Sequence, residues 1–302
     1  MNSKIFLHAI AFAVVAVWGS TFVVTKMLLQ DGLSPAQIFT LRFIIAYVLL
    51  LAYSIGRSVF HSHPSTLFAS SWRDELLMVL LGITGGSVYF LAENAAMLYT
   101  TATNTSLIVC SCPLFTMLLM AVFWRKTERF TRVQVMGSLL ACMGMAIVVM
   151  NGHFVLHLSP IGDLLAFAAC LCWALYSLLM KIAVERYDTL FITRKVFFYG
   201  LLTIIPYYLF VPAFPSLDML LRPEVLWNLL FLGVVASMLC YVLWNWVISK
   251  LGAVVATNWV YCNPLVTILF AWWILSETVT PWLILGTLLI LFGMYLADRK
   301  HQ

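Results

Sequence analysis

Charged residues are scarce in this chain. Lysine, arginine, aspartate and glutamate make up 10% of its 302 residues, whereas soluble domains carry about 25%. The apolar fraction is 63%, which is more than a soluble fold of this length could hide from water. The sequence therefore predicts an all-α integral membrane protein whose main partner is the lipid bilayer. The net charge of +5 is spread over short joints and helix ends, so we expect no nucleic-acid partner.

Motifs for catalysis, cofactors and metals are also lacking. The sequence has no phosphate-binding loop of the Walker A type, and no Ser/His/Asp set or pair of acids converges within the apolar runs. Its seven cysteines lie inside apolar runs without histidines at the spacing of metal ligands, so we interpret them as small apolar filler. His153 and His157 are too isolated to form a metal site. We expect neither a catalytic residue nor a cofactor, and we do not expect an enzyme.

Ten apolar runs are long enough to cross a membrane. Polar residues, Pro and Gly separate them. Three runs begin with a hydroxyl residue before a proline, a pattern typical of helix starts, at Ser34-Pro35, Ser159-Pro160 and Thr280-Pro281. The predicted spans are 5–29, 35–56, 75–98, 101–124, 132–150, 160–184, 190–212, 224–249, 253–275 and 281–298.

Basic residues cluster in the joints that lie on the same side of the membrane as the N-terminus. They are Lys4, Arg57, Arg73, Arg125, Lys126, Arg129, Arg132, Arg186, Lys250, Arg299 and Lys300. The opposite joints carry Arg222 with acids such as Asp31, Asp218 and Glu277. Because Lys and Arg favour cytoplasmic joints, both termini are predicted to be cytoplasmic. The compact length suits a multi-pass protein of a bacterial inner membrane.

The two halves of the chain share a pattern. Pairs of matching residues lie 151 positions apart at Leu81-Gly82 and Leu232-Gly233, at Asn94 and Asn245, and at Pro113-Leu114 and Pro264-Leu265. Trp18 lies eight residues before Lys26, as Trp173 does before Lys181. With five spans in each half, the second half enters the membrane from the opposite side. The sequence thus predicts inverted five-helix repeats, 1–152 and 153–302, around a central cavity.

Two long stretches resemble a known family. "WGSTFVVTK" and "NPLVTILFAWWILSETVTPWLILGTLLILFGMYL", with their partners in the other half, resemble the EamA family of the drug/metabolite transporter superfamily. The resemblance covers nearly the whole chain and implies ten helices in two inverted halves. It also implies export, less often uptake, of small metabolites, amino acids or drugs. We therefore expect a secondary transporter, most simply an exporter working by alternating access. An uptake carrier of the same fold, a non-transporting membrane scaffold and an intramembrane enzyme are the alternatives.

Aromatic and amide side chains within the spans predict the substrate cavity. Tyr and Trp usually lie at membrane interfaces, and lipid penalises buried amides, so deep placement of both kinds indicates a polar pocket. The expected lining is Trp18, Thr21, Phe90, Glu93, Asn94, Asn104, Trp173, Tyr176, Tyr241, Asn245, Asn258 and Trp259. Because Asn94 and Asn245 are matched, both should face the cavity at related depths. Packing inside the helix bundle is the alternative for each residue.

A few charges within the spans need a separate explanation. Lys26 and Lys181 either snorkel to the headgroups or stand at the two mouths of the pathway. Glu93 and Arg42 are predicted at similar depths on adjacent helices. They either form a structural ion pair, or Glu93 binds a cationic or amino group of the substrate or takes up a proton.

Glycines spaced seven apart mark one face in the last span of each half. They are Gly137 and Gly144 in the first half, and Gly286 and Gly293 in the second. Small residues at this spacing let helices approach closely, either inside the protomer or in a homodimer.

Overall fold

The computed structural model describes residues 2–61, 67–124, 131–150, 160–211, 214–276 and 280–298. Within those residues the chain is helical and has no strand. His153 and His157, in the joint between the fifth and sixth predicted spans, lie outside the described residues. Glu277 also lies outside them. The long helices are α1 (Asn2–Gln30), α2 (Pro35–His61), α3 (Trp72–Tyr99), α4 (Ala102–Phe123), α5 (Arg132–Met150), α6 (Pro160–Ala183), α7 (Thr189–Phe210), α8 (Pro223–Leu251), α9 (Ala253–Leu275) and α10 (Pro281–Asp298). A short helix, Leu217–Leu220, precedes α8.

Eight helices of the described chain, α1–α4 and α6–α9, are long and apolar enough to cross a membrane. The prediction of an all-α, multi-pass membrane protein is confirmed at this level. Helices α5 and α10 lie where the fifth and tenth spans were predicted. Their role as spans, and the inverted arrangement of the halves, remain predictions.

The helix starts follow from local capping chemistry. At α2 the Ser34 hydroxyl accepts a hydrogen bond from the Gln37 amide at 3.2 Å, and the Gln37 side chain accepts one from the Ser34 amide at 2.8 Å. Thr131 and Gln134 make the same reciprocal pair at the start of α5. Such capping boxes satisfy amides that the first helical turn leaves unpaired. Gly252, with φ of 84°, separates α8 from α9.

Two helices contain segments with π-helical hydrogen bonding, Ile83–Ser87 in α3 and Phe231–Leu239 in α8. The first is kinked at Gly86, whose φ of −133° and ψ of −106° are non-helical. The matched glycines pack against other helices: Gly82 directly precedes the first segment, and Gly233 lies inside the second. A Cβ on Gly82 would lie 2.5 Å from the Tyr199 Cβ, and one on Gly233 would lie 2.7 Å from the Ile45 Cβ. Close packing and the altered hydrogen-bond pattern therefore occur at corresponding places in the two helices.

The seven-residue glycine spacing brings α5 and α10 together inside this chain. A Cβ on Gly137 would lie 2.6 Å from the Gly293 carbonyl oxygen, and a Cβ on Gly293 would lie 2.6 Å from the Gly137 carbonyl oxygen. A Cβ on Gly144 would lie 2.6 Å from the Gly286 carbonyl oxygen. Of the two interpretations of these glycines, the structure shows internal packing. A homodimer stays a prediction.

Candidate functional site

The middle of the helix bundle contains a small, partly open cavity of about 30 Å³. Seven helices contribute to it: α1, α2, α3, α4, α6, α8 and α9. The lining residues are Trp18, Thr21, Phe22, Arg42, Tyr89, Phe90, Glu93, Val109, Trp173, Tyr241, Val260 and Asn263. The structure therefore brings together six of the residues predicted to line a cavity, namely Trp18, Thr21, Phe90, Glu93, Trp173 and Tyr241. Arg42 joins them.

The wall of the cavity is largely aromatic. The Trp18 ring centroid lies 5.2 Å from that of Trp173 and 5.8 Å from that of Tyr241, and both pairs meet edge to face. The Tyr89 ring centroid lies 5.1 Å from that of Trp173. Aromatic rings favour such edge-to-face and tilted contacts. The cavity is therefore a mostly apolar pocket with aromatic walls and few polar groups.

Two of these aromatic side chains bind carbonyls of the π-helical segments. The Tyr241 hydroxyl donates to the Gly85 carbonyl oxygen at 2.6 Å, and the Trp18 indole N–H donates to the Ala236 carbonyl oxygen at 2.9 Å. A π-helical turn replaces the usual i to i+4 pairing, so its carbonyls are accessible to side chains. The cavity wall is thus fixed to the irregular backbone of α3 and α8.

The cavity contains one acid and one base, which do not pair directly. Glu93 accepts a hydrogen bond from the Tyr89 hydroxyl at 3.2 Å. The Arg42 Nε donates to the Ser237 hydroxyl at 2.8 Å, and its Cζ lies 4.4 Å from the Phe90 ring centroid. Among the described residues no ion pair joins Glu93 to Arg42. Each side chain has a neutral hydrogen-bond partner instead, so the two charges act on each other only through space; their structural and functional roles both stay predictions.

The matched amides are a further correction, because neither Asn94 nor Asn245 lines the cavity. Asn245 is fully buried. Its Oδ1 accepts from the Tyr176 hydroxyl at 2.7 Å, and its Nδ2 donates to the Thr193 hydroxyl at 2.9 Å. The Asn94 Nδ2 donates to the Pro35 carbonyl oxygen at 3.1 Å. Neighbouring helices satisfy both polar atoms of Asn245, whereas the Asn94 Oδ1 is buried without a hydrogen-bond partner among the described residues.

Four other predicted lining residues also lie outside the cavity. Tyr176 belongs to the Asn245 network. The Asn104 Nδ2 donates to the Asp163 carboxylate at 2.7 Å, and the Trp259 indole N–H donates to His8 Nδ1 at 3.0 Å. Asn258 is buried directly before the 3₁₀ turn Trp259–Cys262 in α9. Each is placed by helix packing, which was the stated alternative.

One known protein family matches nearly the whole chain. The EamA-like transporter family matches residues 6–150 and again residues 160–297. This chain belongs to that family. It is a multi-pass membrane transporter, as the resemblance implied.

Relatives of this transporter include proteins named for export. A probable terminal-alkyne amino-acid exporter of Streptantibioticus cattleyicolor is 26% identical, covering 95% of this chain and 91% of its own. A probable amino-acid metabolite efflux pump of Salmonella typhimurium is 27% identical, covering 95% and 93%. An uncharacterized transporter of Archaeoglobus fulgidus is 27% identical over the full length of both chains. One solved crystal structure matches with a TM-score of 0.70 at 19% identity, covering 96% of each chain, which shows a shared fold.

The two predicted gating lysines of the transporter lie at helix ends. The Lys26 ammonium donates to the Met97 carbonyl oxygen at 2.5 Å and to the Thr100 carbonyl oxygen at 3.2 Å. It therefore satisfies carbonyls at the end of α3, where a positive charge also complements the helix dipole. The Lys181 ammonium lies 5.2 Å from the Trp124 ring centroid, within the range of a cation–π contact. A gating role for either lysine stays a prediction.

A second group of charges joins the start of α3 to α7, and the sequence interpretation missed it. Glu75 accepts hydrogen bonds from Lys195 and Tyr199, and also from the Ala69 amide at 2.7 Å. Beside it, Arg186 pairs with Asp74 at 2.6 Å. Lys195 lies inside a predicted span, and that unusual position is the signal that could have found the group.

Within the cavity, the lining residues that sequence reasoning missed are Phe22, Tyr89, Val109, Val260 and Asn263. Tyr89 lies four residues before Glu93 and hence on the same helical face. Asn263 directly precedes the proline that begins the second part of α9. Both relations are visible in the sequence. Phe22, Val109 and Val260 have no such signal, because apolar residues fill every span.

Proposed function

We propose that this protein is a secondary transporter that exports small metabolites with an amino group, such as amino acids or drug-like amphiphiles. The observation that carries the proposal is the central cavity, in which Glu93 and Arg42 face a shared aromatic space without pairing directly. A pocket of mostly apolar walls with a few placed polar groups is the usual form of a small-molecule site. The names of two relatives support export over uptake.

We also propose that ten spans form two inverted halves, 1–152 and 153–302, with both termini in the cytoplasm. Three observations support this arrangement. The family matches the chain twice, once in each half. The π-helical segments of α3 and α8 lie at matched glycines. The last helices of the two halves, α5 and α10, pack through reciprocal glycines. Rocking of such halves about the cavity would open it alternately to each side.

Glu93 is the residue proposed to bind the amino group or to carry a proton during the cycle. It is 5% exposed, and the hydrogen bond from the Tyr89 hydroxyl leaves acceptor capacity on the carboxylate. Trp18 and Trp173 line the same space, and indole faces attract cations. A buried acid with unused acceptor capacity beside aromatic rings suits an ammonium group.

The test uses purified protein in liposomes with a panel of labelled amino acids and metabolites. We expect at least one compound to move faster than in empty vesicles. Glu93→Gln should then lower transport about tenfold or more, because a hydrogen bond to a charged group contributes about 1.5–3 kcal/mol. Thermal stability should stay near that of the wild type. Glu185→Gln is the matched control, since Glu185 is exposed in the joint between α6 and α7.

Two results would contradict the proposal. If no compound moves and none raises the melting temperature, the cavity is not a substrate site under any of these chemistries. If Glu93→Gln strongly destabilises the protein and adding Arg42→Gln restores its stability, the two charges stabilise each other in the fold. Glu93 would then be structural rather than a substrate-binding residue. Transport in inverted vesicles separates export from an uptake carrier of the same fold.

A further inference from the structure

Arg42 has an unusual environment for a buried cation. Its side chain is 2% exposed, although the residue lies in a predicted membrane span. Nε donates to the Ser237 hydroxyl at 2.8 Å, and Cζ lies over the Phe90 ring, 4.4 Å from its centroid. The terminal Nη atoms make no hydrogen bond or ion pair with any residue that the structure describes. The end of the guanidinium therefore keeps its donors while the side and one face are occupied.

The edge of the Arg42 guanidinium that carries the Nη atoms favours a carboxylate as its ligand. A guanidinium offers two parallel N–H donors along an edge, which match the two oxygens of a carboxylate. Ser237 holds the edge that contains Nε, so the edge formed by the Nη atoms remains for a ligand. Glu93 attracts the guanidinium from a distance without contacting it, so an anion bound directly to the Nη atoms would further lower the cost of burying this charge. Arg42 lines the cavity, so such an anion has a place to bind.

Ser237 reaches Arg42 from the other half of the chain. It is fully buried in the π-helical segment of α8, next to Ala236, whose carbonyl oxygen accepts from Trp18. Ser237 and Trp18 thus fix neighbouring parts of one wall. Since Ser237 has no charge, it orients the guanidinium without neutralising it.

We propose that Arg42 is an anion subsite of the cavity, binding the carboxylate of the transported molecule, and that Ser237 is its positioning residue. The proposal rests on the proposed function of the cavity as a substrate site. With Glu93 facing the same space, the ligand class is a zwitterion, whose ammonium group approaches Glu93 while its carboxylate approaches Arg42. A purely cationic or uncharged amphiphile would leave Arg42 without an anion.

The first arm of the test leaves the protein unchanged. Binding to the purified wild type is measured for a panel of amino acids, each beside its methyl ester and its decarboxylated amine. We expect every amino acid that binds to do so about tenfold or more tightly than its ester and amine, as for a lost hydrogen-bonded charge. Equal binding of ester and acid would overturn the subsite. So would binding of esters that depends on chloride, since the anion would then be a free ion.

The second arm uses variants to separate recognition from structure. Arg42→Gln should lower affinity for the amino acid about tenfold or more and abolish its advantage over the ester. Ser237→Ala should reduce that advantage several-fold while leaving affinity for the ester unchanged, a pattern that loss of folding alone does not produce. Ser249→Ala is the control, because Ser249 is exposed on the same helix. Retained discrimination in Arg42→Gln would overturn the proposal.

The outcomes distinguish this inference from the proposed function. Transport of amines or uncharged compounds, without binding of any amino acid in the panel, keeps the transporter and refutes the anion subsite. The first arm needs no substitution, so it decides the question even if Arg42→Gln does not fold.

Discussion

Substitution of Gly293 by alanine tests the packing of α5 against α10. A Cβ at this position would lie 2.4 Å from the Ala141 amide nitrogen and 2.6 Å from the Gly137 carbonyl oxygen. Ordinary contacts begin at 3.4 Å, so the helices must separate by about 1 Å, the difference between 3.4 and 2.4 Å. Both neighbours are backbone atoms, which cannot rotate away. Overpacking of this kind costs about 1–3 kcal/mol, partly offset by up to about 1 kcal/mol of helix propensity.

The assay is thermal unfolding of the purified protein in detergent. Gly56→Ala is the control, because among the described residues no atom beyond the local helix backbone lies within 4 Å of a Cβ at that position in α2. We expect Gly293→Ala to melt below the wild type and Gly56→Ala to melt at or above it. Gly137→Ala belongs to the same contact, so the double variant should lose less stability than the sum of the two single losses. Equal melting of Gly293→Ala and Gly56→Ala would refute the reasoning.

Two further predictions concern buried polar groups. Asn245→Ala should lower stability by about 1–3 kcal/mol, because the Tyr176 hydroxyl loses its acceptor. Adding Tyr176→Phe to this variant should restore part of the loss in the same melting assay. If stability is not restored, the hydrogen-bond network is contradicted. Glu75→Gln should destabilise the protein by on the order of 3 kcal/mol, because it leaves the charge of Lys195, which is 3% exposed, without its counter-ion. Lys195→Met should cost less, because the Glu75 carboxylate that it leaves behind is partly exposed and still accepts a hydrogen bond from Tyr199. The reverse order of melting temperatures would argue against a buried charge at Lys195.

Helix positions were largely predictable because they depend on composition and local chemistry. The helices beginning at Pro35, Pro160 and Pro281 start where the hydroxyl-proline pattern placed them. Helix α3 begins at Trp72 rather than residue 75, because the Ser71 side chain accepts a hydrogen bond from the Asp74 amide. The π-helical segments were not predictable. Their glycines indicated close packing, but a change in hydrogen-bond pairing has no distinct composition.

The sequence prediction of the cavity lining agrees with the structure for Glu93 and most of the deep aromatic residues, but not for Tyr176, Trp259 or the amides. A deep Trp18, Trp173 or Glu93 has few places to lie other than an internal space. An amide such as Asn245 is satisfied equally well by a ligand or by neighbouring side chains. Its actual partners, Tyr176 and Thr193, come from two other helices. Which alternative holds depends on three-dimensional packing that one sequence does not contain.

The π-helical segment of α3 also affects how relatives should be aligned. Gly86 breaks the helix within this segment, with φ of −133° and ψ of −106°, and each residue of an α-helix turns the chain by about 100°. Glu93 and Tyr89 follow this kink, so their direction depends on the number of residues within it. A relative with a one-residue gap between positions 83 and 87 would carry the same glutamate on a different side of the helix. Identity at position 93 therefore indicates a shared binding chemistry only where the length of the preceding turn is also shared.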